Sequence, residues 1–276
     1  LPFRRQNEYP SRIMTFCLQK METQNGEPID YFLLNQNEPI RLNDLIGKPI
    51  SFSFTGHIFC SNCQKKTNKS FGEGFCFSCF SSAAAASPCI LRPELCQAHL
   101  GLGRDPVYEQ KNHNQPHLVY LAQTDQLKVG ITRKTQMPTR WIDQGAAAAI
   151  VLAEVPNRYL SGILEVALKD QFSDKTNWQQ MLKNSPYHGP DLTEIKWELE
   201  QSLPADLSQY WTDDEEPWHF NYPVLNYPTQ VKSISLDKTP NVSGVLTGIR
   251  GQYLMFESGS VINIRRHTGY QIIWEV

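Results

Sequence analysis

Two Cys-x-x-Cys pairs joined by a short loop constrain this chain more than any other sequence feature. Cys60 and Cys63 form the first pair, and Cys76 and Cys79 form the second after twelve intervening residues. Each pair can place two thiolates on one tetrahedral cation, and glycines in the loop allow a hairpin to bring the pairs together. The spacing predicts a zinc ribbon with a structural zinc ion, since four cysteine ligands leave no open coordination position. The alternatives are disulfides and redox motifs, which need an oxidising compartment or a thioredoxin-like context.

A second group of potential ligands follows the ribbon. Cys96 and His99 are separated by two residues, and Cys89 lies seven residues before Cys96. His113 or His117 could supply a fourth ligand, and we take His113 as the candidate. The pattern predicts a second structural zinc, so that the chain would hold one or two zinc ions; the alternative is a pair of buried cysteines with a capping histidine.

Composition limits the classes of function. The 276 residues carry 26 Lys and Arg against 28 Asp and Glu, a formal net charge of -2, so the whole chain is not strongly attracted to nucleic acid. Lys65, Lys66 and Lys69 nevertheless form a local basic patch. No apolar run approaches the roughly 20 residues of a membrane span, and the first residues lack the apolar centre of a secretory signal. We expect a cytoplasmic protein that does not associate with membranes.

The stretch from His117 to Trp178 has the hydrophobic pattern of a small mixed domain. Two short apolar runs flank a Thr-Asp-Gln turn and predict a β-hairpin, in which Gly130 indicates close approach of a ligand or of another backbone. A helix is predicted from Thr139, a strand up to Val155, and a further helix that Asn157 caps. The order is therefore strand, turn, strand, loop, helix, strand, helix.

This stretch resembles the GIY-YIG nuclease superfamily, especially the phage-type branch whose second motif reads Lys-Val-Gly-Ile-Thr. The residues that carry the resemblance are Tyr120, Lys128–Thr132, Arg140, Glu165 and Asn177.

What the resemblance implies is phosphodiester hydrolysis. Glu165 would hold one divalent cation, Mg²⁺ or Mn²⁺. Arg140 would contact the scissile phosphate, and Tyr120 would lie near the nucleophilic water. Carboxylate and guanidinium side chains suit the binding of a divalent cation and of a phosphate. Lys128, Gly130 and Asn177 complete the candidate catalytic set. In this sequence Val129 replaces the tyrosine of the second motif, which removes a candidate proton carrier.

Each of these residues also has a structural interpretation. Tyr120 could be a core aromatic, Arg140 and Glu165 a surface ion pair, and Gly130 a bulge. Their joint order and spacing favour the site over the separate structural roles, although a fold does not by itself establish an activity.

Taken end to end, the chain resembles a bacterial family known as domain of unknown function 2797. The segments that carry this second resemblance are FTGHIFCSNC, GEGFCFSCF, VYLAQTDQLKVGITRKTQMPTRWIDQGA, DKTNW and GIRGQYL.

We expect an α+β fold in five regions. They are an N-terminal β-rich region (1–59), a zinc-binding region (60–116), a small GIY-YIG-like α/β core (117–184), a helical and irregular connector (185–230) and a C-terminal antiparallel β-module (231–276).

Three functional hypotheses follow. In the first, the protein is a zinc protein that binds DNA or RNA and acts as a metal-dependent endonuclease. In the second, it is a non-catalytic RNA-binding or ribosome-associated factor that uses the same groove. In the third, it is a protein-interaction scaffold in which zinc is purely structural.

Overall fold

The structure, a computed structural model, describes residues 13–35, 38–169, 172, 177–201 and 203–275. It is a mixed α+β fold rich in strands, as predicted. The strands are β1 (Ile13–Cys17), β2 (Glu22–Gln24), β3 (Asp30–Leu33), β4 (Ile40–Arg41), β5 (Pro49–Phe59), β6 (Lys66–Thr67), β7 (His117–Gln123), β8 (Leu127–Arg133), β9 (Ala148–Val155), β10 (Trp218–His219), β11 (Lys232–Ile234), β12 (Asn241–Arg250), β13 (Tyr253–Phe256), β14 (Ser260–Asn263) and β15 (Tyr270–Glu275). The helices are α1 (Phe77–Ser82), α2 (Pro106–Asn112), α3 (Thr139–Asp143), α4 (Arg158–Lys169), α5 (Trp178–Leu182) and α6 (Leu192–Gln201).

The largest sheet combines strands from distant parts of the sequence. Its order is β1-β15-β5-β12-β13-β14-β11, with β6 paired to β5, and only β11 and β14 pair in parallel among the described strands. The predicted C-terminal meander is present in β12, β13 and β14. The final strand does not continue it, because β15 lies between β1 and β5 and pairs with both. Residues of the predicted regions 1–59 and 231–276 therefore share one sheet.

A four-stranded sheet of order β10-β9-β7-β8, called the small sheet below, takes three strands from residues 117–178 and β10 from the predicted connector. Strands β7 and β8 form the predicted hairpin, in which Tyr120 is paired with Gly130. Helices α3 and α4 also lie where they were predicted, and the Asn157 side chain accepts a hydrogen bond from the Leu160 N–H at 3.0 Å, as an N-cap does. The predicted order of these elements is confirmed.

The small sheet is buried on both faces, which explains the continuous apolar run of β7. Val119 and Leu121 pack with α4 and α6 in one core, whereas Leu118, Tyr120 and Ala122 face the core of the large sheet. Successive side chains of a strand point to opposite faces, so β7 carries apolar or aromatic residues at every position from Leu118 to Ala122. The small sheet is therefore held rigidly between two cores.

The segment between β5 and β7 contains little regular structure. It consists of β6, α1, α2 and several short 3₁₀ turns, and it contains both groups of cysteines that were predicted as ligands. A segment with so few apolar contacts needs another source of order, such as bound metal. Within the described ranges, no helix combines the length and apolar character needed to cross a membrane.

Candidate metal centres and adjoining cleft

The first cluster consists of Cys60, Cys63, Cys76 and Cys79. Their sulfur atoms all lie within 4.8 Å of one another, and the Sγ atoms of Cys63 and Cys76 are 3.9 Å apart. Four sulfurs placed tetrahedrally at about 2.3 Å from one cation would be separated by about 3.8 Å. The cluster could therefore hold a metal ion such as zinc.

Backbone turns bring the two pairs of the first cluster together. Cys60 follows β5 directly, and the N–H of Gln64 donates to the Cys60 carbonyl at 3.0 Å to close the first turn. Cys76 is the N-cap of α1, and its N–H donates to Cys60 Sγ at 3.2 Å. Burial acts to raise the pKa of Cys60, but N–H groups of Cys63, Cys76 and Asn62 outweigh it and bring the pKa down to about 6. A thiolate is the form that binds a metal.

The second cluster consists of Cys89, Cys96, Glu109 and His113, all of them buried. His113 Nδ1 lies 3.8 Å from Cys89 Sγ, 3.7 Å from Cys96 Sγ and 3.7 Å from Glu109 Oε2. Two sulfurs, one imidazole nitrogen and one carboxylate oxygen form a donor set that zinc accepts. This cluster could also hold a metal ion.

Glu109 was not among the predicted ligands, and His99 was. Glu109 is only 3% exposed, and one of its oxygens accepts a hydrogen bond from the Arg104 N–H at 2.9 Å. Gly103 leaves room for this carboxylate, because a Cβ there would lie 2.2 Å from Glu109 Cδ. His99 instead stacks on Tyr159, with ring centroids 4.6 Å apart. The structure thus brings Glu109, not His99, to the cluster beside His113.

His117, the other histidine considered as a fourth ligand, lies apart from the cluster. It is fully buried, and its Nδ1 is 2.7 Å from the Gln115 carbonyl oxygen, whereas Nε2 has no partner within the described part of the chain. Burial lowers the pKa of His117 to about 4. Its role is therefore that of a neutral buried histidine.

The second cluster is attached to the small sheet through α4. Arg158 donates from Nε to the Cys89 carbonyl and from Nη2 to the Ile90 carbonyl, both at 3.0 Å. Gly162 allows close packing, because a Cβ on it would lie 2.2 Å from the Glu94 backbone nitrogen.

Within the second cluster, a hydrogen bond from Cys96 lowers the pKa of the Cys89 thiol, and the same hydrogen bond raises the pKa of the Cys96 thiol.

A cleft of about 1360 Å³ lies between the four-cysteine segment (residues 60–82) and the small sheet. Its size exceeds the roughly 300–1,000 Å³ of pockets for small molecules. Of the predicted catalytic residues, Lys128, Gly130, Arg140 and Glu165 line it, and so does His113 of the second cluster. These four candidate residues and parts of both candidate metal-binding segments therefore line one cavity.

Tyr120 lies below the wall of the cleft and not in it. Its side chain is 0% exposed, and a Cβ on Gly130 would lie 2.7 Å from the Tyr120 hydroxyl oxygen. The close approach predicted at Gly130 is therefore made by Tyr120. With its amide oriented to satisfy its neighbours, Gln144 accepts hydrogen bonds from the Tyr120 hydroxyl at 2.8 Å and from Arg140 Nε at 3.0 Å. This network orients the Arg140 guanidinium beside the cleft.

Glu165 extends from α4 into the same cleft. Burial raises the pKa of its carboxyl above the ordinary value, and Arg158, Lys169 and Arg140 act in the opposite direction. A half-buried carboxylate that faces several cations across a cavity can bind a divalent ion together with a phosphate. The structure thus places Glu165 in the cleft with Arg140 and Lys128, and its role as a metal ligand stays a prediction.

Asn177 does not join the other candidates. Its side chain caps α5 by accepting hydrogen bonds from the N–H groups of Gln179 and Gln180, and its own N–H donates to Asp125. The remaining residues of the DKTNW segment before it lie outside the described residues.

Sequence reasoning missed two residues for which a local signal exists. Glu109 and His113 are four residues apart on α2 and its C-cap, a spacing that places two ligands on one helix face. Gln144 follows Arg140 at the same spacing at the end of α3. His113 and Arg140 were identified from the sequence, but Glu109 and Gln144, each of which lies one helical turn away, were not.

Comparison with known families gives one match. The family model described as "Protein of unknown function (DUF2797)" matches residues 47–272, and the chain belongs to this family. No curated protein and no solved structure matches the chain.

Proposed function

We propose that this member of the DUF2797 family is a zinc protein that binds nucleic acid in the cleft and hydrolyses phosphodiester bonds there with a divalent cation. The observation that carries the proposal is the joint position of Arg140, Lys128 and Glu165 on one wall of a large cleft. Residues of the four-cysteine segment line the same cleft.

The charge of the cleft supports a polyanionic ligand. Although the whole chain has a net charge of -2, seven cationic side chains of the described residues line the cavity against three carboxylates. Two of the carboxylates are paired within it, Asp143 with Lys20 at 2.5 Å and Glu73 with Arg265. A cleft with one dominant sign of charge concentrates its field on a ligand of the opposite sign. The seven cations are Lys20, Arg104, Lys128, Arg133, Arg140, Arg158 and Arg265.

Zinc is the metal that best fits the two clusters. Four thiolates suit a closed structural zinc site, and two thiolates with one imidazole and one carboxylate use ligands that zinc accepts. Bound metal would order a segment that has almost no apolar core of its own, and that segment forms one wall of the cleft. The role of zinc in this proposal is therefore to hold the cleft open and in shape.

The residues of the small sheet supply the chemistry. Glu165 would hold Mg²⁺ or Mn²⁺ beside the scissile phosphate, where the ion neutralises charge and activates water. Arg140 presents a planar fork that suits a phosphate, and Gln144 orients it. Lys128 adds a further cation on the same wall.

The test uses zinc-loaded protein with labelled single- and double-stranded DNA and RNA, with Mg²⁺, with Mn²⁺ or without added divalent metal. We expect scission that requires the added metal and falls by at least about a thousandfold in Glu165→Gln. Glu198→Gln, an exposed substitution on α6, is the matched control and should cleave as the wild type does. Equal scission by wild type and Glu165→Gln would refute the catalytic part of the proposal.

A second candidate function is binding without cleavage, as in an RNA-binding or ribosome-associated factor. Two observations favour it: the Tyr120 hydroxyl is fully buried beneath Gly130, and Val129 occupies the position of the second motif's tyrosine. Its signature would be binding that weakens steeply with salt, with no scission under any divalent cation. Failure to bind any polynucleotide would leave the scaffold hypothesis.

A further inference from the structure

Two phenylalanines on α1 are exposed to the cleft. Phe77 is 66% exposed and Phe80 is 38% exposed, and both line the same cavity as Arg140 and Lys128. Large apolar side chains that stay exposed in a concave and otherwise charged surface indicate a binding site. Nothing in the proposed hydrolytic chemistry uses them.

A third aromatic ring supports these two and leaves their outer surface open. Phe71 contacts Phe77 edge to face, with centroids 5.5 Å apart, and stacks on Phe80 at 5.9 Å. Lys69 Nζ lies 5.2 Å from the centroid of Phe71. The cluster is therefore an aromatic platform of Phe71, Phe77 and Phe80 with a cation beside it, and Phe77 is its most exposed member.

The platform is fixed relative to the rest of the cleft. Arg104 Nη1 donates to the carbonyls of Phe80, Ala83 and Ala86 at 3.3, 3.1 and 3.1 Å, which anchors the C-terminal end of α1. On the other side, Gly74 lies so close to Thr268 that a Cβ on it would be 2.7 Å from the Thr268 Cγ2. The aromatic platform therefore has a fixed place in the cleft, whose cationic wall consists of Lys128 and Arg133 on β8 and Arg140 on α3.

We propose that the aromatic platform stacks unpaired bases of a single-stranded polynucleotide whose phosphates lie along the cationic wall. The proposal rests on the proposed function and adds the substrate class. Bases of a single strand offer their faces to aromatic side chains, whereas those of a duplex are already stacked on one another. A combination of cations on one side and exposed aromatic rings on the other is the arrangement that single-strand binding proteins use.

The experiment measures fluorescence anisotropy without added divalent metal, so that no scission occurs. The probes are a labelled single strand, the same sequence as a duplex, and an abasic strand of equal length. The variants are Phe77→Leu, which keeps an apolar side chain without a ring, and Phe77→Trp, which keeps a ring. Trp197→Leu is the matched control, because Trp197 is 51% exposed on α6 and does not line the cleft.

We expect Phe77→Leu to weaken binding of the single strand by roughly 5- to 150-fold, with little effect on the abasic strand. Phe77→Trp should bind as tightly as the wild type or more tightly, and Trp197→Leu should have no effect. Zinc content measured on every variant verifies that the four-cysteine segment is intact.

Several outcomes would overturn the inference. If Phe77→Leu binds the single strand as the wild type does, or if the abasic strand loses as much affinity, base stacking is excluded while the proposed binding function stands. If the wild type prefers the duplex, the substrate class is wrong. If the wild type binds no probe, the proposed function fails together with this inference, and an acidic protein becomes the better match for the cationic wall.

Discussion

The two clusters that could hold a metal differ in where their candidate ligands come from and in how deeply they lie. The first draws its four cysteines from two local pairs, and three of the four are only partly buried. The second collects ligands from two 3₁₀ turns and α2, and all four are buried. The second also connects to α4 and hence to the small sheet. We infer that the first cluster orders a local loop, whereas the second is part of the scaffold.

The largest expected effect comes from removing one thiolate from each cluster. Cys96→Ser should release one zinc and lower the free energy of unfolding of the whole protein by about 3–5 kcal/mol, because it leaves buried ionisable partners uncompensated. Cys63→Ser should also release one zinc but should increase hydrogen exchange only near residues 60–82. Elemental analysis and exchange mass spectrometry test both. If hydrogen exchange increases throughout the Cys63→Ser protein, the inferred difference between the two clusters is wrong.

The second prediction tests which residue completes the buried cluster. If the buried cluster binds zinc as proposed, Glu109→Gln removes a carboxylate ligand and should weaken the zinc affinity of this cluster by at least about 100-fold. His99→Gln should leave both ions bound, since His99 only stacks on Tyr159. Competition with a chromophoric chelator measures both affinities. If His99→Gln weakens the affinity and Glu109→Gln does not, His99 is the ligand.

The third prediction concerns the link between the second cluster and the small sheet. Gly162→Ala should lower the free energy of unfolding by about 1–3 kcal/mol, because its Cβ would overlap the backbone of Pro93 and Glu94. Val166→Ala, at an exposed position of the same helix, should change it by less than about 0.5 kcal/mol. Chemical denaturation of both variants provides the measurement. If Gly162→Ala has the same free energy of unfolding as the wild type, α4 and the segment of Pro93 and Glu94 are not closely coupled.

The last prediction has the smallest expected effect at neutral pH, and it concerns His117, which is buried but is not part of the second cluster. Its pKa is about 4 in the folded protein, against about 6.5 when unfolded. Its stabilising contribution is thus complete above pH 6.5 and is lost as the pH falls towards 4, at a rate of at most about 1.4 kcal/mol per pH unit. Wild-type stability should fall more steeply over this window than that of His117→Gln. Loss of zinc from His117→Gln at pH 7 would instead identify a ligand.

The same contrast explains what could be predicted from the sequence. Local spacing places both pairs of the first cluster, and the alternation of apolar residues places the hairpin that contains Tyr120 and Gly130. Glu109 could not be chosen from composition alone, because a glutamate on a short helix is usually exposed. Its burial depends on Gly103 and Arg104, which fold back over it.

Long-range pairing was the other part that sequence could not supply. The pattern of β15 is that of an ordinary strand after a meander, and nothing in it indicates that β1 and β5 are its neighbours. The role of Gly130 was likewise ambiguous, since a glycine in a strand indicates close approach without identifying the group that approaches. The structure shows that this group is the Tyr120 hydroxyl.

The placement of β15 between β1 and β5 affects the order in which the large sheet can form during synthesis of the chain. During synthesis, β1 and β5 leave the ribosome long before β15, so the centre of the large sheet stays incomplete while the metal-binding segment and the small sheet are already available to fold. Contacts of such high sequence separation form slowly and leave strand edges unpaired in the interval. Early capture of metal by the intervening segment would shorten the effective loop between β5 and β15 and so reduce the entropy lost when they meet.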